Sequence, residues 1–472
     1  MKKSTKIVGV ILALSILAGA VALPYYYYKG YCWTKKIISN VRGHQGPGKF
    51  VNKKLLRTKY SKALPEWART QINEDLSSFK HFSEQDVNLA YKHLRTGYNR
   101  LAKVTISPTD VSIEYPKRAP SQDRRSKTMR NAFNFLREQN LIEPMDFILS
   151  FSDYLDFDLN INFLDASKLS KEEIDKEFHL FRKRFLLVKN KQTYILHDTV
   201  ENNDKEIDIK ILAQSIQDLI HRGFNKQPLD ENQNNKLLTC LGQNGYIDDV
   251  QEILFVKSLP AIPFFTFAKD TSIPIENKAI LIPDWMNLYA WPKLSPLISK
   301  ANQHYNWNKK EDKLFWRGGV NDASNFRRKL VNMSADNYAL VDAKFTEGND
   351  KAPRVAPTEH LNYRYQIAID GARGTWERIV WQLAANSTLL KPKSTHIQWF
   401  HKGIQPNVHY VEVNSAEDSV ANALQDLQQN PQYAEKIANN GMVFANENLS
   451  IEDMFIYMAN ALNQYNETIN HD

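Results

Sequence analysis

Hydrophobic positions follow two different periods along this chain. From 82 to 105 and again from 122 to 140 they recur at helical spacing, and Met129, Phe133, Phe135 and Leu136 sit among charges in the second stretch. Pro144 closes that stretch, and Phe147-Ile148-Leu149 is a short apolar run suited to a buried strand. Helix, turn and strand in succession mark an α/β layer. Residues 200–256 read as mostly helical. A Pro-rich segment then runs through Pro260, Pro263, Pro274 and Pro283 to Trp291 and Pro292, as expected of a crossing between two domains. Beyond it the alternation predicts strands at 313–317, 338–341, 365–369, 388–391 and 408–413. A helix is predicted over 374–385, where Trp376, Ile379, Val380, Leu383 and Ala384 form one apolar stripe. Three more amphipathic helices follow at 416–428, 431–445 and 451–465.

Ahead of all this, residues 7–23 form an uncharged run flanked by Lys2 and Lys3 on one side and by Tyr25, Tyr26, Tyr27, Tyr28 and Lys29 on the other. A membrane-spanning helix needs roughly 17–25 residues, and the tyrosines suit an interfacial belt. Ala18-Gly19-Ala20 and Ala20-Val21-Ala22 leave a cleaved signal peptide as the rival reading. The flanking basic charges balance, so the side of the membrane facing the body stays open: cytoplasmic for a bacterial protein, lumenal for a secretory one. The net charge of +8 is concentrated here, because residues 1–60 carry 12 Lys and Arg and no acid. The remaining 412 residues carry 49 basic and 53 acidic side chains. That body is not a nucleic-acid binder, whereas an anionic membrane surface suits the basic end. Two cysteines, Cys32 and Cys240, exclude a disulfide framework and Cys-x-x-Cys zinc sites.

Several motifs carry chemistry. Gly43-His44-Gln45-Gly46-Pro47-Gly48-Lys49 matches a phosphate loop except that Phe50 replaces the final Ser or Thr, and a hinge is the better reading. His396, His401 and His409 cluster late without metal-ligand spacing, and no metal is expected. Phe315-Trp316-Arg317-Gly318-Gly319 places an Arg where a strand ends in a turn, the edge at which open α/β sheets bind ligands. Asp370-Gly371-Ala372-Arg373-Gly374 does the same and leads into a helix, with Arg378 close by. Helix amides and guanidinium forks together suit a diphosphate. Ser150-Phe151-Ser152-Asp153 follows the Phe147 strand, where a carboxylate could take a proton from a hydroxyl. Asp146, Asp156 and Asp158 compete with Asp153 on spacing alone.

In order, Phe315-Trp316-Arg317-Gly318, His360-Leu361-Asn362-Tyr363-Arg364-Tyr365, Ile369-Asp370-Gly371, Thr375-Trp376-Glu377-Arg378, Ser387 to Ser394, Trp399-Phe400, Pro406 to Val413 and Ile437 to Gly441 resemble glycosyltransferase family 90. That family includes lipopolysaccharide-modifying enzymes, capsule-associated proteins and Rumi-like protein O-glucosyltransferases. The resemblance implies a GT-B-like fold, two Rossmann-like domains facing a cleft, here preceded by a transmembrane helix. The expected organisation is a tail at 1–6, a signal-anchor at 7–28, a basic connector at 29–60, an acceptor domain at 61–280 and a donor domain at 281–472.

The implied activity is metal-independent, inverting transfer of a sugar from a UDP-linked nucleotide sugar to a hydroxyl of a glycan or lipid-linked acceptor such as lipopolysaccharide. No cofactor is implied beyond the nucleotide sugar as co-substrate. Asp153 takes the place of the family's base. Trp316, Arg317, Gly318, Asp370, Gly371, Thr375, Trp376 and Arg378 fall at donor positions, and His409 and Tyr410 at acceptor or structural ones. The family more often has Asn-Thr-Arg-Asp where this chain has Ser150 to Asp153. A catalytically inactive glycan-binding or scaffolding relative is the alternative.

Overall fold

The computed structural model describes residues 46–77, 79, 82–94, 101–115, 124–151, 185–190, 193–198, 203–207, 263–272, 279–320, 326–336, 339–348, 351–371, 374–414 and 417–470. The apolar run at 7–23, Asp153 and Arg373 lie outside them. The first α-helices among the described residues are α1 (Lys53–Tyr60) and α2 (Glu66–Leu76). The first sheet is built from β1 (Leu101–Ile106), β2 (Val111–Glu114), β3 (Met145–Ser150), β4 (Phe264–Thr266) and β5 (Ala279–Leu281), with α3 (Arg124–Glu138) between β2 and β3. Its strand order is β5-β4-β3-β1-β2. β5, β4 and β3 run parallel, while β1 is antiparallel to both β3 and β2.

That antiparallel pair overturns the expectation of two Rossmann-like domains behind a transmembrane helix. The apolar spacing over 82–105 predicts a helix, but the helix is Glu84–Leu94 and the chain then alternates. Ala102, Val104 and Ile106 are buried, and Lys103 and Thr105 are half-buried between them. Period two dictates a strand. Ser107 then closes a turn by accepting from the Asp110 amide at 2.9 Å and donating to its carbonyl, so the chain doubles back as a hairpin and the sheet must be mixed. The fold is mixed α/β, with one mixed and one parallel five-stranded sheet. Among the described residues no helix is long and apolar enough to cross a membrane. The expected anchor at 7–28 lies outside those residues. Most of 200–256, read as helical, also lies outside, but Asn203–Ile207 is the last strand of an antiparallel meander with Phe185–Asn190 and Thr193–Asp198.

The second sheet follows α4 (Trp285–His304) and consists of β6 (Glu311–Gly318), β7 (Val341–Phe345), β8 (Tyr363–Ile367), β9 (Thr388–Pro392) and β10 (Val411–Val413). Every pairing is parallel and the order is β7-β6-β8-β9-β10. A parallel sheet needs both faces covered. One face buries Leu314, Trp316, Tyr365 and Ile367 beneath α5 (Phe326–Asp336), α7 (Glu417–Gln429) and α8 (Pro431–Asn448). The other joins α4 and α6 (Glu377–Leu383) in the main core. The last helix, α9 (Ile451–Thr468), returns to the first sheet, where the Tyr465 hydroxyl donates to the Asp146 carbonyl at 3.1 Å and Phe455 meets Phe135 at 4.8 Å. The Pro-rich segment expected as a crossing carries β4 and β5 before α4 begins at Trp285, and α4 holds Pro292 and Pro296 inside it. Asp284 caps it by accepting from the Met286 and Asn287 amides, and the Trp291 indole donates to the Leu449 carbonyl at 2.6 Å.

Candidate active site

Strand order in the second sheet reverses between β6 and β8, and a crevice outside the carboxyl ends of the strands opens at such a switch point. Two segments emerge there, Gly318-Gly319 after β6 and Asp370-Gly371 after β8. Arg327, in the first turn of α5, spans them by donating to the Gly319 carbonyl at 3.1 Å and the Ile369 carbonyl at 3.2 Å. Its Nη2 lies 3.4 Å from where a Cβ on Gly371 would stand, so the loop passes close beneath a guanidinium. Nothing in the hydrophobic pattern singled out Arg327. Its one signal was a basic residue soon after a glycine turn.

The loop after β8 is unusual in its backbone. The Gly371 amide donates to the Gly374 carbonyl at 2.9 Å, Gly374 has φ +55°, and Trp376 has φ 54° and ψ −137°. A bulky residue in that region is strained by about 1–3 kcal/mol, a cost that persists only where the surroundings impose it. The expected helix over 374–385 is shortened to α6 for this reason. Thr375 Oγ1 and Arg378 Nη1 are both buried without a hydrogen-bond partner among the described residues. Burial pushes the Arg378 pKa down to about 10, with Arg327 adding to the fall and Glu377 opposing it. Burial raises the Glu377 carboxyl, and the Arg378 charge partly offsets that. Two cations and two orphaned donors therefore gather at one sheet edge, where an anion with several oxygens would satisfy them.

A link to the first sheet runs through Asp284. It is fully buried, and burial together with the Glu377 charge raises its pKa to about 7, against the lowering effect of its hydrogen bonds. Gln398 Nε2 reaches its Oδ2 at 3.5 Å and the Trp376 carbonyl at 3.4 Å. A second link pairs Lys269–Asp270 with His396–Ile397. His396 lies between two carboxylates, with Nε2 3.3 Å from Asp270 and Nδ1 3.8 Å from Asp370. Burial alone would raise the Asp270 pKa, but hydrogen bonds from His396, Thr395 and Ser272 hold it well below the usual range. Burial lowers the Lys391 pKa, and Asp370 and Glu412 offset part of the fall.

Arg317 folds back over the Phe315 ring at 4.2 Å and donates to the Trp316 and Asp342 carbonyls and the Asp342 carboxylate, each at 2.9–3.0 Å. Trp316 is buried on the opposite face, and Gly318 is glycine because a Cβ there would lie 2.3 Å from that indole. His360, buried beside Phe315 and Trp381, is held well below its usual pKa first by burial and then by Arg378 and Arg317. His409 accepts from the Gln405 amide within its own turn, and buried Tyr410 has its pKa raised to about 12 by burial and Glu412. Asp153 lies two residues beyond Phe151, whose carbonyl accepts from Arg125 at 2.8 Å.

Residues 248–472 match the model of glycosyl transferase family 90. The chain is similar to protein O-glucosyltransferase 1 of Bos taurus, 24% identical over 261 residues covering 48% of this chain and 65% of the relative. It is also similar to protein O-glucosyltransferase 2 of Danio rerio, 30% identical over 171 residues covering 34% of each chain. Protein O-glucosyltransferase 3 of Homo sapiens is 26% identical over 180 residues, 36% of this chain and 35% of the relative. The chain thus spans less than two thirds of the length of these curated relatives.

Proposed function

From a carboxyl-terminal region that matches the model of glycosyl transferase family 90, we propose that the chain transfers a sugar from a UDP-linked nucleotide sugar to a hydroxyl of a cell-surface glycan. The observation that carries this reading is the pair of orphaned buried donors, Thr375 Oγ1 and Arg378 Nη1, beside Arg327 at the switch point. Arg378, Thr375 and the Asp370-Gly371 loop hold the diphosphate. Arg317, committed to Asp342, adds positive potential beneath it rather than a fork. Asp153 takes the acceptor proton as its oxygen attacks the anomeric carbon. The bond from that carbon to the phosphate oxygen breaks, and the cations stabilise the charge that collects on the departing diphosphate.

Calorimetric titration of the whole chain with UDP and a set of UDP-sugars tests the donor half, and a folded chain that binds none of them refutes it. Asp153→Asn is expected to keep UDP affinity while turnover falls about 100-fold or more. Normal turnover would remove Asp153 from the mechanism. A second reading, a protein hydroxyl as acceptor, is favoured by the names of the relatives. Glucose transfer to a folded polypeptide but to no glycan would select it.

A further inference from the structure

Of the three late histidines, two are spent on their own turns. His401 Nδ1 accepts from the Gln398 amide and His409 Nδ1 from the Gln405 amide, each at 3.0 Å. His396 is placed differently. It lies opposite Asp270 in the short antiparallel pair of His396–Ile397 with Lys269–Asp270. Thr271 closes that pair, its amide and hydroxyl both donating to the Thr395 carbonyl at 2.9 and 3.0 Å. Ser394 Oγ accepts from the His396 amide at 3.0 Å. With the backbone fixed in this way, the Asp270 carboxylate accepts from the ring at Nε2, 3.3 Å away. The other nitrogen, Nδ1, then faces Asp370 Oδ2 at 3.8 Å.

Asp370 is half-buried where the chain leaves β8 for the crevice. Among the described residues neither of its oxygens accepts a hydrogen bond, since 3.8 Å is within ion-pair range but too long for one. Its charge also acts on buried Lys391, which it helps to keep protonated. An ionised carboxylate can only accept. The diphosphate assigned to Arg378 and Thr375 offers it nothing but repulsion, whereas a hydroxyl offers the donor it lacks. Open acceptors at Asp370 and orphaned donors at Thr375 and Arg378 share one loop and the helix it enters. Together they match a ligand that is anionic in one part and hydroxylated in the next, and a nucleotide sugar carries hydroxyls on its ribose and on the sugar to be transferred.

We propose that His396, anchored by Asp270, is a positioning residue that orients the Asp370 carboxylate to accept from a hydroxyl of the nucleotide sugar. This rests on the transferase reading and leaves the diphosphate to Arg378, Thr375 and the loop backbone.

Calorimetry on the full chain tests it, with UDP and UDP-glucose as probes. UDP binding by the unaltered chain is measured first, so that failure of the transferase reading shows before His396 is altered. Asp370→Asn is expected to raise the Kd for UDP-glucose about tenfold or more, the loss of a hydrogen bond to a charged group. An equal rise for UDP assigns the hydroxyl to the ribose, and a rise for UDP-glucose alone assigns it to the transferred sugar. His396→Gln keeps an amide donor for Asp270 and loses the second ring nitrogen. Its Kd should therefore rise about threefold or more while its melting stays near the parent's. The double variant should bind no more weakly than Asp370→Asn, because His396 acts through that carboxylate. A role confined to the fold would instead lower melting and leave the losses additive. Equal or tighter binding of both probes by either single variant, or losses that add in the double variant, overturns the proposal.

Discussion

Arg378→Met separates what a guanidinium contributes to the fold from what it contributes to a ligand. In the free chain Arg378 is a burden. Its Nη1 is buried without a partner among the described residues, and burial with Arg327 draws its pKa to about 10 against the opposing pull of Glu377. Met keeps an unbranched apolar stem and removes the orphaned donor, so the variant should melt no lower than the parent. Glu377 loses its neighbouring cation in the exchange and takes up a proton more readily, which limits the gain. With UDP bound the balance reverses. A hydrogen bond to an ionised oxygen is worth about 1.5–3 kcal/mol, or about 10- to 150-fold in Kd. Arg378→Lys should fall between, since it keeps the charge and loses the planar fork. Calorimetry with UDP and a melting scan of the same samples decide the matter. Unchanged UDP affinity in a variant that melts like the parent would refute the diphosphate reading of this edge.

Three further outcomes test the surrounding structure. The folded Asp284 pKa of about 7 lies above its unfolded value of 3.8, so its contribution is greatest below the unfolded pKa and is lost as pH rises through 7. Asp284→Asn keeps an N-cap and should therefore melt less pH-dependently between pH 5 and 8; parallel curves would refute the shift. Lys310 Nζ donates to the Leu361 and Ala385 carbonyls and Ser387 Oγ at 2.7–3.1 Å, at the edge of the second sheet away from the candidate site. Lys310→Met should cost about 1–3 kcal/mol in denaturant unfolding with UDP affinity intact. Gly48→Ala puts a Cβ 2.3 Å from Phe135 and should cost about 1–3 kcal/mol; an unchanged unfolding midpoint would mean that the turn is the hinge it resembles in sequence.

Period alone made most of the second sheet legible. The predicted strand at 388–391 is β9 less one residue, and the predicted helix at 431–445 is most of α8. These segments are long or apolar enough for neighbours not to change their type. Legibility failed where tertiary contacts outvote local chemistry. Pro292 and Pro296 argue against a helix, yet α4 forms because Asp284 caps it and Trp291, Leu288 and Ile298 bury one side of it. The strand at β1 was hidden because its four apolar residues in six also fit a helical face, and only the turn at Ser107 to Asp110 shows that the chain reverses.

Arg317 and Arg327 show why site residues were harder to read than the sheet. A strand turns alternate side chains to opposite faces, so Arg317, two residues after Phe315, shares its face. Its guanidinium therefore lies back over that ring and pairs with Asp342 on β7, although its backbone stands at the ligand edge. Arg327 starts further away in sequence, but the first turn of α5 carries its side chain over the strand ends, where it holds Gly319 and Ile369 together. Proximity to a Gly turn in sequence identifies the edge. Which cation reaches over that edge depends on the parity of the strand and the first turn of the next helix, and the second becomes visible only once the chain has folded.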